Sequence, residues 1–87
     1  MKKVTELSTN EAIVLQQVHH DGEDDTSTLA NQLGMSRHHI VEIIVRLKQK
    51  GLVGIDGDSE GVWVHLTRKG REVMRYMWPE AHSALAV

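Results

Sequence analysis

Cysteine and phenylalanine are both absent from the 87 residues, and proline occurs once, at Pro79. Without cysteine there is no disulfide framework and no thiolate-held zinc or iron–sulfur centre. Trp63, Tyr76 and Trp78 are the whole aromatic complement, so a core has to come from Val, Ile, Leu, Met and Ala. No apolar run approaches the ~18–20 residues that a membrane span needs. Nor does Met1–Glu6 lead into the apolar stretch of a signal peptide. A soluble, cytoplasmic chain with no membrane partner is the expectation. The length suits one small domain and is too short for two.

A strong positive charge is missing as well: the net charge is −2. Basicity throughout, common in small nucleic-acid binders, does not apply here. The charge is instead segregated along the chain. Asp21, Glu23, Asp24 and Asp25 form one run without a base, and Asp56, Asp58 and Glu60 form another. Between residues 36 and 50 the balance reverses, with Arg37, Arg46, Lys48 and Lys50 against Glu42. Arg68, Lys69, Arg71 and Arg75 then face Glu72 alone. The Asp21–Asp25 run reads as a solvated loop.

Periodicity supplies the elements. Ser8-Thr9-Asn10-Glu11 is a capping box, and the stripe Ala12, Val14, Leu15 and Val18 predicts a helix over 8–20 that ends at Asp21-Gly22. Thr26 is the expected cap of a short second helix over 26–33, with Leu29, Ala30 and Leu33 inward and Gly34 as the turn residue. Ser36 caps a third helix over 36–50, whose core face is Ile40, Ile43, Ile44 and Leu47. The period then shifts to two. Val62, Val64 and Leu66 alternate with Trp63 and His65, and Gly57–Gly61 has turn chemistry, which predicts a hairpin over 52–66. Trp63 is expected to cover a neighbouring strand or a crevice beside the first helix. Thr67 caps a fourth helix to about residue 78, with Gly70, Val73, Met74 and Met77 buried, and Pro79 breaks it.

Helix, helix, short turn, helix, hairpin, helix is the order of a winged helix-turn-helix. The expected class is therefore α+β, mostly α: a three-helix core, a two-stranded wing hairpin and a C-terminal helix. Residues 1–78 form the domain, and 79–87 form a tail or a short dimerisation segment.

Leu29-Ala30, Leu33-Gly34-Met35-Ser36, Ile40, Ile43-Ile44, Arg46-Leu47, Lys50-Gly51-Leu52-Val53 and Leu66-Thr67-Arg68-Lys69-Gly70 together resemble the MarR family of transcription regulators. The resemblance covers roughly residues 7–78. It implies a dimeric DNA-binding regulator whose third helix enters the major groove. It also implies a wing near the minor groove and phosphate contacts from the second helix and the helix ends. The wing departs from the family pattern, in which an Asp and Arg pair stands near the tip. Here no Lys or Arg lies between Lys50 and Arg68, and an acidic tip is repelled by phosphates.

The residues themselves offer a surface of the right kind. Opposite the core face, the third helix shows His38, Val41, Glu42, Val45 and Gln49, flanked by Arg37, His39, Arg46 and Lys48. Arg pairs with guanine edges, Glu accepts from cytosine, and Val meets a thymine methyl. Ser36, Thr26, Ser27 and Thr28 bring hydroxyls to helix starts, where phosphates bind, and Arg68 and Lys69 open the fourth helix. Ile13, Trp78, Leu85 and Val87 are the apolar residues left for a dimer interface.

Six histidines invite a metal reading, but His19-His20 and His38-His39 are adjacent and lack the i,i+4 clamp, so no metal site is expected. No nucleophile–base pair or glycine-rich phosphate loop is visible, so neither an enzyme nor a cofactor is expected. A small sequence-specific regulator that binds double-stranded DNA as a homodimer is the leading expectation. The alternative is a winged-helix protein–protein interaction module without DNA binding, using the dry Val41/Val45 patch or the surface of Ile13 and the tail.

Overall fold

A computed structural model describes residues 7–59 and 61–77. The order is α1 Thr9–Asp21, β1 Glu23–Asp25, α2 Thr26–Leu33, α3 Arg37–Gln49, β2 Val53–Asp58, β3 Gly61–Leu66 and α4 Arg68–Met77. The α+β, mostly helical winged arrangement is as expected, with one strand more than expected. Trp78, Leu85 and Val87, the break at Pro79 and the 79–87 segment lie outside the described residues, as does Glu60.

The helix starts follow from their caps. The Ser8 hydroxyl accepts from the Glu11 amide at 3.1 Å, and the Glu11 carboxylate accepts from the Ser8 amide at 3.0 Å. Ser36 caps α3 in the same way, accepting from the His39 amide. Gly34 ends α2 at φ +67°, a left-handed conformation that a β-carbon disfavours, and this fixes the tight α2–α3 turn. Val14, Leu15 and Val18 of α1, Leu29 of α2 and the Ile40, Ile43, Ile44 and Leu47 stripe of α3 close on one another. Val53, Val64 and Leu66 cover them from the sheet, and Met74 from α4.

Four expectations are corrected. The acidic run is no loop: Glu23–Asp25 pairs antiparallel with β3, giving a three-stranded sheet in the order β1-β3-β2. β3 has a free edge, whose amides and carbonyls need partners, and the chain leaving α1 supplies them. In that register Asp24 faces inward, opposite Val64, and is 6% exposed. Asp25, not Thr26, is the cap of α2, its carboxylate accepting from the Thr28 amide at 3.2 Å. Trp63, by contrast, takes the first of its two expected places, beside the neighbouring strands. It stands on the outer face of the sheet between Asp25 and Asp56. Met77 is exposed, because α4 buries only Gly70 and Met74 fully against the domain. Val62 is also exposed, because the wing extends past the core.

The joint between α3, β2 and α4 ties the helices to the wing. Gly51 turns the chain out of α3 at φ +79°. The Thr67 hydroxyl donates to the Gly51 carbonyl at 2.6 Å and accepts from the Gly70 amide at 3.0 Å, while the Thr67 amide donates to the Leu52 carbonyl. Lys69 donates to the Lys50 carbonyl at the end of α3. Gly70 lies against Leu52 so closely that a β-carbon there would overlap the Leu52 carbonyl oxygen. Lys50-Gly51-Leu52 and Thr67-Arg68-Lys69-Gly70 are therefore the two halves of one joint.

Candidate nucleic-acid interface

α3 buries its isoleucine stripe and leaves the opposite face to solvent. Arg37, His38, Glu42, Arg46, Lys48 and Gln49 are exposed there, His39 is half-buried, and Val41 and Val45 are 41% and 43% exposed. The nine-residue face expected from the sequence is thus one contiguous surface. Within it the His38 imidazole lies 3.2 Å from the Glu42 carboxylate, one turn apart. That contact takes up part of the hydrogen-bonding capacity of Glu42.

The second anchor, the start of α2, is narrower than expected. Thr26 is 5% exposed, so its hydroxyl is not on the surface that Ser27 and Thr28 share. The Thr28 amide is already held by Asp25. Hydrogen bonds from Thr28, its side chain first and then its amide, hold the Asp25 carboxyl below the usual range despite some burial, and the nearby Arg37 charge adds to the effect. Arg37 itself opens α3, one residue after the Ser36 cap.

At the other end of α3, Lys50 reaches back to α1. Its ammonium lies 2.7 Å from the Glu11 carboxylate, which is nearly fully buried. Burial alone would raise the Glu11 pKa. The Lys50 hydrogen bond, the Ser8 amide and the charges of Lys50 and Arg46 outweigh it and hold the group below its ordinary value. Arg68 is exposed and pairs loosely with Glu72 at 3.7 Å. Lys69 caps α3 through the Lys50 carbonyl with its ammonium still at the surface. Both lie at the joint, at the C-terminal end of α3 and away from Arg37. Ile13 is 39% exposed on α1.

One grouping escaped the sequence reading. Glu23, Asp56 and His65, from three different strands, place their ligand atoms within 4.8 Å of one another. Nothing local joins them. Only the β1–β3 pairing, itself not foreseen, brings Glu23 to His65.

No protein-family model matches the sequence, and no curated protein matches it. Solved structures do match. One concerns regulation of DNA binding of BpsR from Bordetella bronchiseptica by 6-hydroxynicotinic acid. It is 25% identical with a TM-score of 0.77, covering 88% of this chain and 57% of that one. The transcriptional regulator BldR from Sulfolobus solfataricus is 26% identical with a TM-score of 0.74, over 91% of this chain and 58% of its own. The oxidised form of MarR from E. coli has a TM-score of 0.79 at 20% identity, over 85% of this chain and 54% of its own, and so bears on the fold. The chain spans a little over half the length of these proteins. The likeness carried by the two halves of the α3–β2–α4 joint is borne out: by fold, the chain is a MarR-like winged helix-turn-helix domain, the architecture of these transcription regulators.

Proposed function

We propose that the domain is the DNA-reading part of a transcription regulator that lays α3 in the major groove of double-stranded DNA. The observation that carries this is the α3 face itself. Arg37, Arg46 and Lys48 stand on a helix whose apolar stripe is fully committed to the core. The neighbours in fold are transcription regulators, and none of those named above is an enzyme. In this reading Arg37 and Arg46 contact base edges or phosphates. Val41 and Val45 meet thymine methyls, Glu42 accepts from cytosine, and Ser27, Thr28 and Ser36 hold phosphates. Arg68 and Lys69 add backbone contacts from the joint.

Two-fold pairing would place two α3 helices one helical turn of DNA apart. Exposed Ile13 supports an interface on α1 that would continue into Trp78, Leu85 and Val87. Work on the bacterial or archaeal chromosome would make the location cytoplasmic. Among the described residues, no helix is long and apolar enough to cross a membrane.

A gel shift against genomic fragments at low salt tests the reading. Non-specific binding of this kind has a dissociation constant of about 10⁻⁴–10⁻⁶ M near physiological salt and tightens as salt falls. Absence of any shift at 50 μM protein in low salt sinks the proposal. The protein-binding alternative would then be tested with Val41→Asp, which on that reading abolishes capture of a partner.

A further inference from the structure

We infer that Glu23, Asp56 and His65 form a binding site for one divalent transition-metal ion, of zinc's class, on the outer face of the sheet. The register sets the site. Glu23, His65 and Gly54 stand opposite one another across β1, β3 and β2, and Asp25, Trp63 and Asp56 form the next row on the same face. Each strand contributes one ligand, and each lies on a backbone held by ladder hydrogen bonds.

The geometry suits a metal. The His65 Nδ1 lies 3.5 Å from an Asp56 carboxylate oxygen. Two ligands at ~2.0–2.1 Å from a tetrahedral ion are separated by about 3.4 Å. A Glu23 oxygen lies within 4.8 Å of a ligand atom of each, and its exposed side chain is free of packing that would stop it swinging inward. Gly54 makes room for this arrangement. A β-carbon there would come 2.6 Å from His65 Nε2, so the ring lies across bare backbone on its way to Asp56. Any larger residue in that position would lift the imidazole away.

The donor set narrows the ion. One imidazole nitrogen and two carboxylate oxygens, with no thiolate available, favour zinc and its first-row neighbours over the soft Cu(I) ion. Magnesium and calcium prefer all-oxygen shells. Three protein ligands leave the fourth position open to water or to a further group. Two carboxylates neutralise the dication, which removes negative charge from the wing side of the domain. The site does not depend on the DNA reading.

Isothermal titration of the whole chain with Zn²⁺ at pH 7.5, with no DNA present, tests the site. The exposed histidines elsewhere give a weak background, measured in the same experiment with His65→Gln. The wild type is expected to show one binding event per chain that is tighter than this background by at least about tenfold. Glu23→Gln and Asp56→Asn each lose that event, with circular dichroism confirming that they fold. Proton NMR gives an independent reading: the His65 ring resonances shift at one equivalent of Zn²⁺, before those of His19, His20, His38 and His39. Identical isotherms for wild type and His65→Gln overturn the site. So does a titration in which the other histidines shift first.

Discussion

Gly70→Ala tests whether the two motifs act as one joint. A β-carbon at this position overlaps the carbonyl oxygen of Leu52 and lies 3.1 Å from its carbonyl carbon. Both are backbone atoms, so no side chain can rotate away, and α4 has to retreat from β2. Overpacking of this sort costs about 1–3 kcal/mol. The retreat also stretches the Thr67 amide bond to Leu52, now 3.0 Å, and the Thr67 hydroxyl bond to Gly51, now 2.6 Å. Each is worth about 1 kcal/mol. Alanine returns about 1 kcal/mol through its better helix propensity. The expected net loss is about 2–4 kcal/mol, a fall in Tm of about 10–30 °C for a domain of this length. Thermal and urea unfolding followed by circular dichroism measure it. Gly57→Ala is the control, because a β-carbon there has only the Gly61 carbonyl near it, at 3.9 Å. That change is expected within about 0.5 kcal/mol of wild type. A Gly70→Ala protein that melts at or above the wild-type temperature refutes the close-approach argument.

Other changes probe the remaining contacts. Lys50→Ala leaves the buried Glu11 carboxylate without its cation and is expected to cost about 2–3 kcal/mol in urea unfolding; an unchanged midpoint would mean that the pair is incidental. Burial, the bond to Asp21 and the charges of Asp21 and Asp25 push the Asp24 carboxyl up to about 7. The folded chain therefore keeps a proton that the unfolded chain has lost, and stability falls as pH rises from about 4 to about 7. Asp24→Asn, able to donate to Asp21 at any pH, should flatten that slope and gain about 1–2 kcal/mol at pH 8; equal slopes in both proteins would refute it. Arg46→Ala should weaken DNA binding by about 1–3 kcal/mol if the contact is to a base edge. A phosphate contact would instead lower affinity evenly across sequences and reduce the salt slope by about one. Glu42→Gln should raise non-specific affinity while relaxing any preference for cytosine, as read by gel shift on specific and random fragments.

What could be read from the sequence was what short-range chemistry decides. The Ser8 box, the Ser36 cap, the turn at Gly34 and the isoleucine stripe of α3 depend on residues three or four apart, and each stands where the pattern placed it. The strand at Glu23–Asp25 could not be read this way. Three acidic residues have low β-propensity, and their pairing is decided by the free edge of β3, far along the chain. That one omission caused the others. Without β1, Asp25 has no reason to precede Thr26 as the cap, Trp63 has no row of acids to join, and Glu23 has no path to His65. Gly70 was legible as a buried position, but not as the place where two backbones touch.

The same strand resolves the apparent conflict between an acidic chain and a DNA-facing helix. The net charge of −2 counts every carboxylate equally, but the fold disposes of them unequally. Glu11 is spent on Lys50, and Asp25 caps α2. Asp24 is buried and holds its proton to near neutral pH. Glu23 and Asp56 gather around His65 on the sheet, and Glu72 pairs with Arg68. On the exposed face of α3, Glu42 is the only carboxylate set against Arg37, Arg46 and Lys48, and His38 lies against it. A phosphate approaching that face meets three cationic side chains of α3 against one carboxylate, and at an ionic strength near 0.15 M charges beyond about 8 Å are largely screened. If binding depends on this local balance, affinity should fall steadily as salt rises. If the total charge governs instead, repulsion is strongest at the lowest salt and affinity should rise as salt is added, and a salt titration of the gel shift distinguishes the two.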